Sequence, residues 1–224
     1  MKVPNTIAYL GPEGTFSQVA AIKHFGKSSE FQSCSTIEDV FALVESEQAR
    51  YGIVPIENST EGTVNNAQDC LLENKVLISG EIIVAIEHHL LIAKSTEIDA
   101  LKTIASHKQS LAQCRTWLSK NYPNVELVEC SSNAEAALIA SKEKDSGAIA
   151  SEAASDIYGL NIISKNIQDN HNNSTRFLVI GNRDTNPSGR DKTSIIVSTK
   201  NNSGALYSLL EPLSKNNVSM TRIE

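Results

Sequence analysis

Short runs of apolar, β-favouring residues alternate along this chain with stretches whose apolar positions recur every three or four residues. Thr6–Leu10 reads as a strand, Gly11–Thr15 as a turn, and Phe16–Phe25 as an amphipathic helix stopped by Gly26. A second helix is predicted over about 37–49, its start marked by Thr36 with an acid three residues on, Asp39. It leads into the strand Tyr51–Ile56, a polar turn over 57–62 and a helical stretch ending at Glu73. Leu77–Ala93 is long and β-branched, which suits a segment carrying the chain from one lobe into another. A second series follows: strand Thr103–Ala105, helix from Ser106, strand Val125–Cys130, helix from Ser132, strand Gly147–Ser151. Both helix starts have a capping-box spacing, Ser106 with Gln109 and Ser132 with Glu135. A short helix ending at Tyr158-Gly159, a strand near Asn161–Ser164, the polar stretch Asn166–Thr175 and the strongly β Arg176–Gly181 complete the pattern. Such alternation predicts parallel sheets covered by helices, the α/β class.

Arg183–Lys192 contains no apolar residue and holds Pro187 and Gly189, so it reads as a linker. Beyond it a strand over Thr193–Thr199, a helix over Gly204–Lys215 and a strand over Val218–Glu224 are predicted. One helix and two strands bury little core, so this tail reads as a fragment.

The 224 residues amount to about one and a half typical domains. Lys+Arg 20 against Asp+Glu 26 leaves a net charge of −6 without basic blocks, which argues against nucleic acid and anionic membranes as partners. Unbroken apolar runs such as Ile82–Ile86 are far shorter than the roughly 20 residues of a spanning helix, and the N-terminus lacks a secretory apolar region. The expectation is a cytoplasmic protein. Cys34, Cys70, Cys114 and Cys130 are widely spaced and read as reduced, mostly buried small hydrophobes.

Candidate chemistry gathers in four loops: 11–17, 57–63, 106–113 and 172–176. Three open helices, whose N-termini favour anions, and the fourth carries Arg176, able to grip a carboxylate. Together they suit a small molecule with more than one carboxylate. Phe25-Gly26-Lys27-Ser28 has the tail of a P-loop but ends a helix, and the 11–14 turn lacks the further glycine of a dinucleotide fingerprint. His88 and His89 are adjacent in a predicted strand, so they point to opposite faces and cannot chelate one metal together. No cofactor and no metal is expected.

The run Tyr51-Gly52-Ile53-Val54-Pro55-Ile56-Glu57-Asn58-Ser59-Thr60-Glu61-Gly62-Thr63-Val64 resembles the prephenate dehydratases. Leu10–Ser17, Ser106–Cys114 and Asn173–Phe177 match the same family in the same order, as do Glu38–Phe41 and Tyr158–Leu160, with Lys108 standing where proline is usual. The tail resembles the start of an ACT regulatory domain, Ser203-Gly204-Ala205-Leu206 matching its ligand loop and Thr221–Glu224 the beginning of a second motif. The expectation is thus a catalytic domain over 1–182, a linker over 183–192 and a truncated ACT unit, ferredoxin-like α+β, over 193–224.

The resemblance implies a two-lobed fold like the periplasmic binding proteins, with lobe one at about 1–78 plus 162–181 and lobe two at 79–161. It implies conversion of prephenate to phenylpyruvate, water and carbon dioxide, driven by aromatisation. The protein then mainly binds a dianion and donates a hydrogen bond to the departing hydroxyl. On matching positions it implies Thr175, Glu57, Asn58 and Gln113 as catalytic residues. Arg176, Thr15, Ser17, Ser59, Ser106 and Phe177 become substrate-binding. Glu57 either holds a proton or pairs with a cation while orienting Asn58. Gly204, Ala205 and Leu206 would hold phenylalanine as effector, and a homo-oligomer, dimer or tetramer, is implied. Three other readings stay open: a non-catalytic binding module, an arogenate dehydratase, and an inactive remnant.

Overall fold

The computed structural model describes residues 5–223, and the chain separates into two units, Met1–Asn186 and Pro187–Glu224. The first unit begins β1 (Thr6–Leu10), α1 (Phe16–Phe25), β2 (Glu30–Cys34), α2 (Ile37–Glu45), β3 (Tyr51–Asn58), β4 (Gly62–Thr63), α3 (Asn65–Glu73) and β5 (Leu77–Ala85). It continues with β6 (His89–Ala93), β7 (Thr103–His107), α4 (Lys108–Gln113), α5 (Arg115–Asn121) and β8 (Glu126–Cys130). The unit closes with α6 (Asn133–Lys142), β9 (Ser146–Ala150), α7 (Glu152–Tyr158), β10 (Leu160–Ser164) and β11 (Ser174–Gly181).

Among the described residues these strands form two sheets. The first runs β2-β1-β3-β11-β5 with β4 beside β3, and the second runs β10-β6-β9-β7-β8. β1 pairs in parallel with β2 and β3, whereas β11 lies antiparallel between β3 and β5. Each sheet is packed on both faces. In the first lobe Val40, Phe41, Val54 and Ile180 fill one side, and Tyr9, Ala20, Ile53 and Phe177 the other. In the second lobe β9 reads Ser-Gly-Ala-Ile-Ala and is buried throughout, and its small side chains let the alanines of α6 approach closely.

The chain crosses between lobes at 86–88 and returns over 165–173. The crossings pair with each other: the Ile86 N–H donates to the Asn173 carbonyl at 2.9 Å, and the Ile167 N–H to the His88 carbonyl at 2.8 Å. β5 lies wholly in the first sheet and β10 in the second, so the outward crossing falls after Ala85 rather than at 78, and the return after Ser164 rather than at 161. Strand length decides this: the β-branched run continues to Ala85 because β11 offers it a full-length partner.

Local signals set several ends. Thr36 and Asp39 form a complete capping box, each side chain bonded to the other's backbone N–H at 3.1 Å. α2 stops at Glu45 rather than 49. Ser132 caps α6 through the Glu135 N–H, but the Glu135 carboxylate turns to Ser131. Ser106 is not a helix cap. β7 runs two residues past Ala105, His107 caps α4 through Nδ1, and the helical stretch divides at Cys114.

In the second unit α8 (Ala205–Lys215) forms as expected, starting after Gly204 at φ 81. Neither 193–199 nor 218–223 is a strand, because a strand needs a ladder partner and none forms among the described residues. Glu224, the end of the expected second strand, lies outside the described residues, as do residues 1–4.

Candidate active site

The last residue of β3 and the second of β11 meet at the edge of the first lobe nearest the crossings. Thr175 lies opposite Asn58 and Arg176 opposite Glu57, but Phe177 lies opposite Pro55, so Ile56 is an extra residue in β3. This bulge puts Ile56 and Glu57 on one face and delivers Asn58 to the face of Thr175. The Asn58 Nδ2 group donates to Thr175 Oγ1 at 2.8 Å and to Asn173 Oδ1 at 2.9 Å. Its Oδ1 accepts the backbone N–H groups of Thr60 at 2.9 Å and Glu61 at 3.0 Å, a local turn of the kind asparagine favours.

From Asn173 the network enters the second lobe. Asn173 Nδ2 donates to Gln113 Oε1 at 2.9 Å, His88 Nε2 lies 2.9 Å from the same oxygen, and Gln113 Nε2 donates to the exposed Glu61 carboxylate at 3.1 Å. Gln113 thus joins the turn after β3, the outward crossing and the return crossing. Ser59 accepts the Ser174 N–H at 2.9 Å and fastens that turn to β11. His88 is 1% exposed, and burial holds its imidazole below the ordinary range. His89 accepts a different bond, from the Asn166 N–H.

Thr175, Asn58, Ser59 and Gln113 therefore come together as the sequence implied. Other expected residues do not join them. Arg176 and Glu57 lie on the opposite face of the strand pair, because side chains alternate. There Arg176 Nε bonds Glu57 at 3.1 Å and its Nη1 lies 3.5 Å from Glu81. Of the two states expected for Glu57, pairing with a cation is the one observed, but away from Thr175. Phe177 is 2% exposed and packs with Tyr9 and Ile53, a core role rather than a binding one. Ser106 is fully buried, its hydroxyl donating to the Ile149 carbonyl at 2.7 Å and Asn133 Oδ1 at 2.9 Å, so it holds the second sheet. The Thr15 hydroxyl bonds the Leu10 and Pro12 carbonyls and closes its own turn, and Ser17 is buried on α1. Gly204, Ala205 and Leu206 lie at the start of α8 in the second unit.

That first turn has an inter-lobe task of its own. The Ser151 hydroxyl donates to the Gly14 carbonyl at 2.8 Å and the Tyr158 hydroxyl to the Glu13 carbonyl at 2.9 Å. Gly14 has φ +87, and a Cβ there would sit 3.2 Å from Ala154 and from the Tyr158 ring, so the position requires glycine twice over. Nearby, at the carboxyl end of β1, an open hollow of about 650 Å³ is lined by Leu10, Ser35, Thr36, Ile37, Glu38 and Asn66.

Asn173, His88 and Glu61 also belong to the cluster: Asn173 and Glu61 stand within the motifs without an assigned role, and His88 is considered in the sequence only as a metal ligand and set aside. Asn173 stands just before β11, two residues ahead of Thr175, so the alternation of that strand extended by one residue puts it on the Thr175 side. His88 and Glu61 join only through the fold.

Two α/β lobes with paired crossings, and a polar hydrogen-bonding cluster where the crossings meet the sheet, define a bilobed α/β protein. Residues 7–185 match the prephenate dehydratase family. A bifunctional chorismate mutase/prephenate dehydratase of Stutzerimonas stutzeri is 50% identical over the whole of this chain, which spans only 61% of that relative's length. A prephenate dehydratase of Methanocaldococcus jannaschii is 37% identical over 97% of this chain and 81% of its own. A solved prephenate dehydratase of Arthrobacter aurescens, described in complex with L-Phe, superposes with a TM-score of 0.87 at 27% identity, covering 98% of this chain and 74% of that one. The chain belongs to the prephenate dehydratase family.

Proposed function

We propose that this chain converts prephenate to phenylpyruvate, water and carbon dioxide. The observation that carries the proposal is the Thr175 hydroxyl, whose oxygen receives the Asn58 amide at 2.8 Å and whose own proton has no acceptor among the described residues. That proton is available to the C4 hydroxyl of a bound prephenate. As the C1–carboxylate bond breaks, its electron pair enters the ring, carbon dioxide departs, and the C4–O bond breaks. The leaving oxygen needs one proton overall to become water. A threonine hydroxyl is a poor acid, so its contribution is a hydrogen bond aimed where negative charge develops rather than full transfer.

Asn58 fixes Thr175, and Gln113 Nε2, which now meets Glu61, is the uncharged donor for a substrate carboxylate. Ser59, in the turn fastened to β11, adds to the binding surface. The donors themselves are neutral, and the exposed Glu61 carboxylate must release Gln113 Nε2 before that group meets a substrate carboxylate.

The same reading takes residues 193–224 as the start of an ACT-type unit, phenylalanine as its effector through Gly204, Ala205 and Leu206, a homo-oligomer, and the cytoplasm as the place of action. Ser203–Leu206 and the helix that follows support it. Steady-state formation of phenylpyruvate from purified prephenate, with and without phenylalanine, tests the catalytic and effector parts of this reading. Thr175→Ala is expected to lower kcat by about 10²–10³-fold, the loss typical of one oxyanion-type donor, with the thermal midpoint preserved. Absence of turnover by folded wild-type protein overturns the dehydratase reading.

A further inference from the structure

We propose that His88 is a positioning residue: as the neutral tautomer protonated on Nε2, it anchors the amide chain Gln113–Asn173–Asn58 that leaves the Thr175 hydroxyl proton directed at the cleft. The inference rests on the dehydratase reading and deepens it.

Each amide has one end that donates and one that accepts, so a chain of amides has a direction. Here that direction is fixed independently at two points. Asn58 Oδ1 receives the Thr60 and Glu61 N–H groups, which can only donate, so Nδ2 must face Thr175 and Asn173. Asn173 must then present Oδ1 to Asn58, which turns its Nδ2 onto Gln113. Gln113 in turn must present Oε1, and its Nε2 meets the Glu61 carboxylate, which only accepts. The two fixed points agree. What remains at Gln113 Oε1 is His88 Nε2 at 2.9 Å, and an oxygen already facing one donor attracts a second N–H but repels a lone pair.

His88 therefore carries its proton on Nε2, and Nδ1, buried without a partner among the described residues, is the unprotonated nitrogen. The backbone holds the ring in place for this task. His88 bonds the return crossing through its N–H to Gln168 Oε1 at 3.0 Å and through its carbonyl to Ile167, and the Phe16 ring packs edge-on at 5.8 Å. At the far end, Thr175 Oγ1 is occupied as an acceptor, so its proton points out of the network. Reversing the tautomer would break the bond that keeps Gln113, and through it Asn173, in register.

Nitrogen-15 NMR of the labelled full chain, with His88→Gln to assign the ring, reads the tautomer directly. A directly bonded proton on Nε2 and an unprotonated Nδ1 are expected, and the reverse tautomer overturns the proposal whether or not prephenate is turned over. Kinetically, His88→Leu is expected to lower kcat by up to roughly 10²-fold, the size of effect produced by a small misplacement, and to raise KM as well, because Gln113 also receives a substrate carboxylate. His88→Gln, whose amide can donate toward Gln113, should recover most of it. In the Thr175→Ala background His88→Leu should lower kcat little further, because its effect on kcat acts through Thr175, while the rise in KM through Gln113 remains. A wild-type kcat in folded His88→Leu, or a full additive loss in the Thr175→Ala background, overturns the positioning role. If His88→Leu does not fold, the tautomer and the glutamine variant decide.

Discussion

On one face of the β3–β11 ladder Asn58 meets Thr175 as amide and hydroxyl, and one residue along, on the other face, Glu57 meets Arg176 as an ion pair. The two pairs share strands and register, and the bulge at Ile56 assigns each its side. Their chemistry differs because their tasks differ. The ionic pair is satisfied within the protein: the guanidinium spans Glu57 and Glu81 and cross-braces β3, β11 and β5. The neutral pair leaves one hydrogen-bonding capacity without a partner among the described residues, the Thr175 proton. A charged pair can stabilise a strand junction, whereas a neutral pair with fixed direction can present a donor that is already oriented and costs no reorganisation when charge develops.

Replacing Asn58 by aspartate breaks the neutral face most directly. The carboxylate still accepts the Thr60 and Glu61 N–H groups, so the turn survives, but it cannot donate to Thr175. It instead attracts the Thr175 proton and opposes a dianion. The expected outcome for Asn58→Asp is a kcat lower by about 10²-fold with a thermal midpoint near wild type. Steady-state kinetics beside a melting curve checks it, and undiminished kcat would remove Asn58 from the mechanism.

The ionic face should respond in the other sense. Glu57→Gln keeps shape and a hydrogen-bonding end while removing the charge, and Arg176 retains Glu81. For a partly exposed pair the expected loss is about 1 kcal/mol of stability or less. Denaturant unfolding measures it, with kcat affected far less than in Asn58→Asp. A collapse of kcat at unchanged stability would mean that the two faces are not separate in function.

How much of this division the sequence revealed depends on the range of the signal. Thr36 with Asp39 was readable because both partners of the capping box lie within one turn. Thr175, Asn58 and Gln113 were reached through motifs, and their meeting is what the fold adds. Arg176 was misplaced because its side depends on strand parity and its second partner is Glu81, far away in sequence. Ser106 satisfies the Ser-x-x-Gln spacing of a cap, yet β8 pairs with β7 through His107 and carries the strand past that serine. β2 carries no such signal: among the described residues it pairs with β1 alone, and of Glu30-Phe31-Gln32-Ser33-Cys34 only Cys34 is buried, so no apolar alternation marks it. The β-rich runs at 193–199 and 218–223 show the converse, propensity without a partner.

The smallest expected effect concerns pH, and it sharpens the contrast because the titrating group belongs to the neutral network. Burial holds the imidazoles of His88 and His89 below the ordinary range, and His24 shifts the same way. The unfolded chain takes up those protons near pH 6.5, whereas the folded chain resists them. Below that pH the unfolded state binds more protons, so the stability contributed by the neutral imidazoles is fully present above about 6.5 and is lost as the pH falls toward the depressed folded values. The thermal midpoint of the wild type should therefore decline between about pH 7 and 5.5. The His88→Leu protein should show a shallower decline over the same interval, with His89 and His24 keeping a remainder. Melting curves across that range compare slopes rather than absolute midpoints, so a general destabilisation by the substitution does not confuse the result. An equal slope in both proteins would mean that His88 accepts its proton in the folded state as readily as in the unfolded one, and that the network at Gln113 tolerates a charged imidazole.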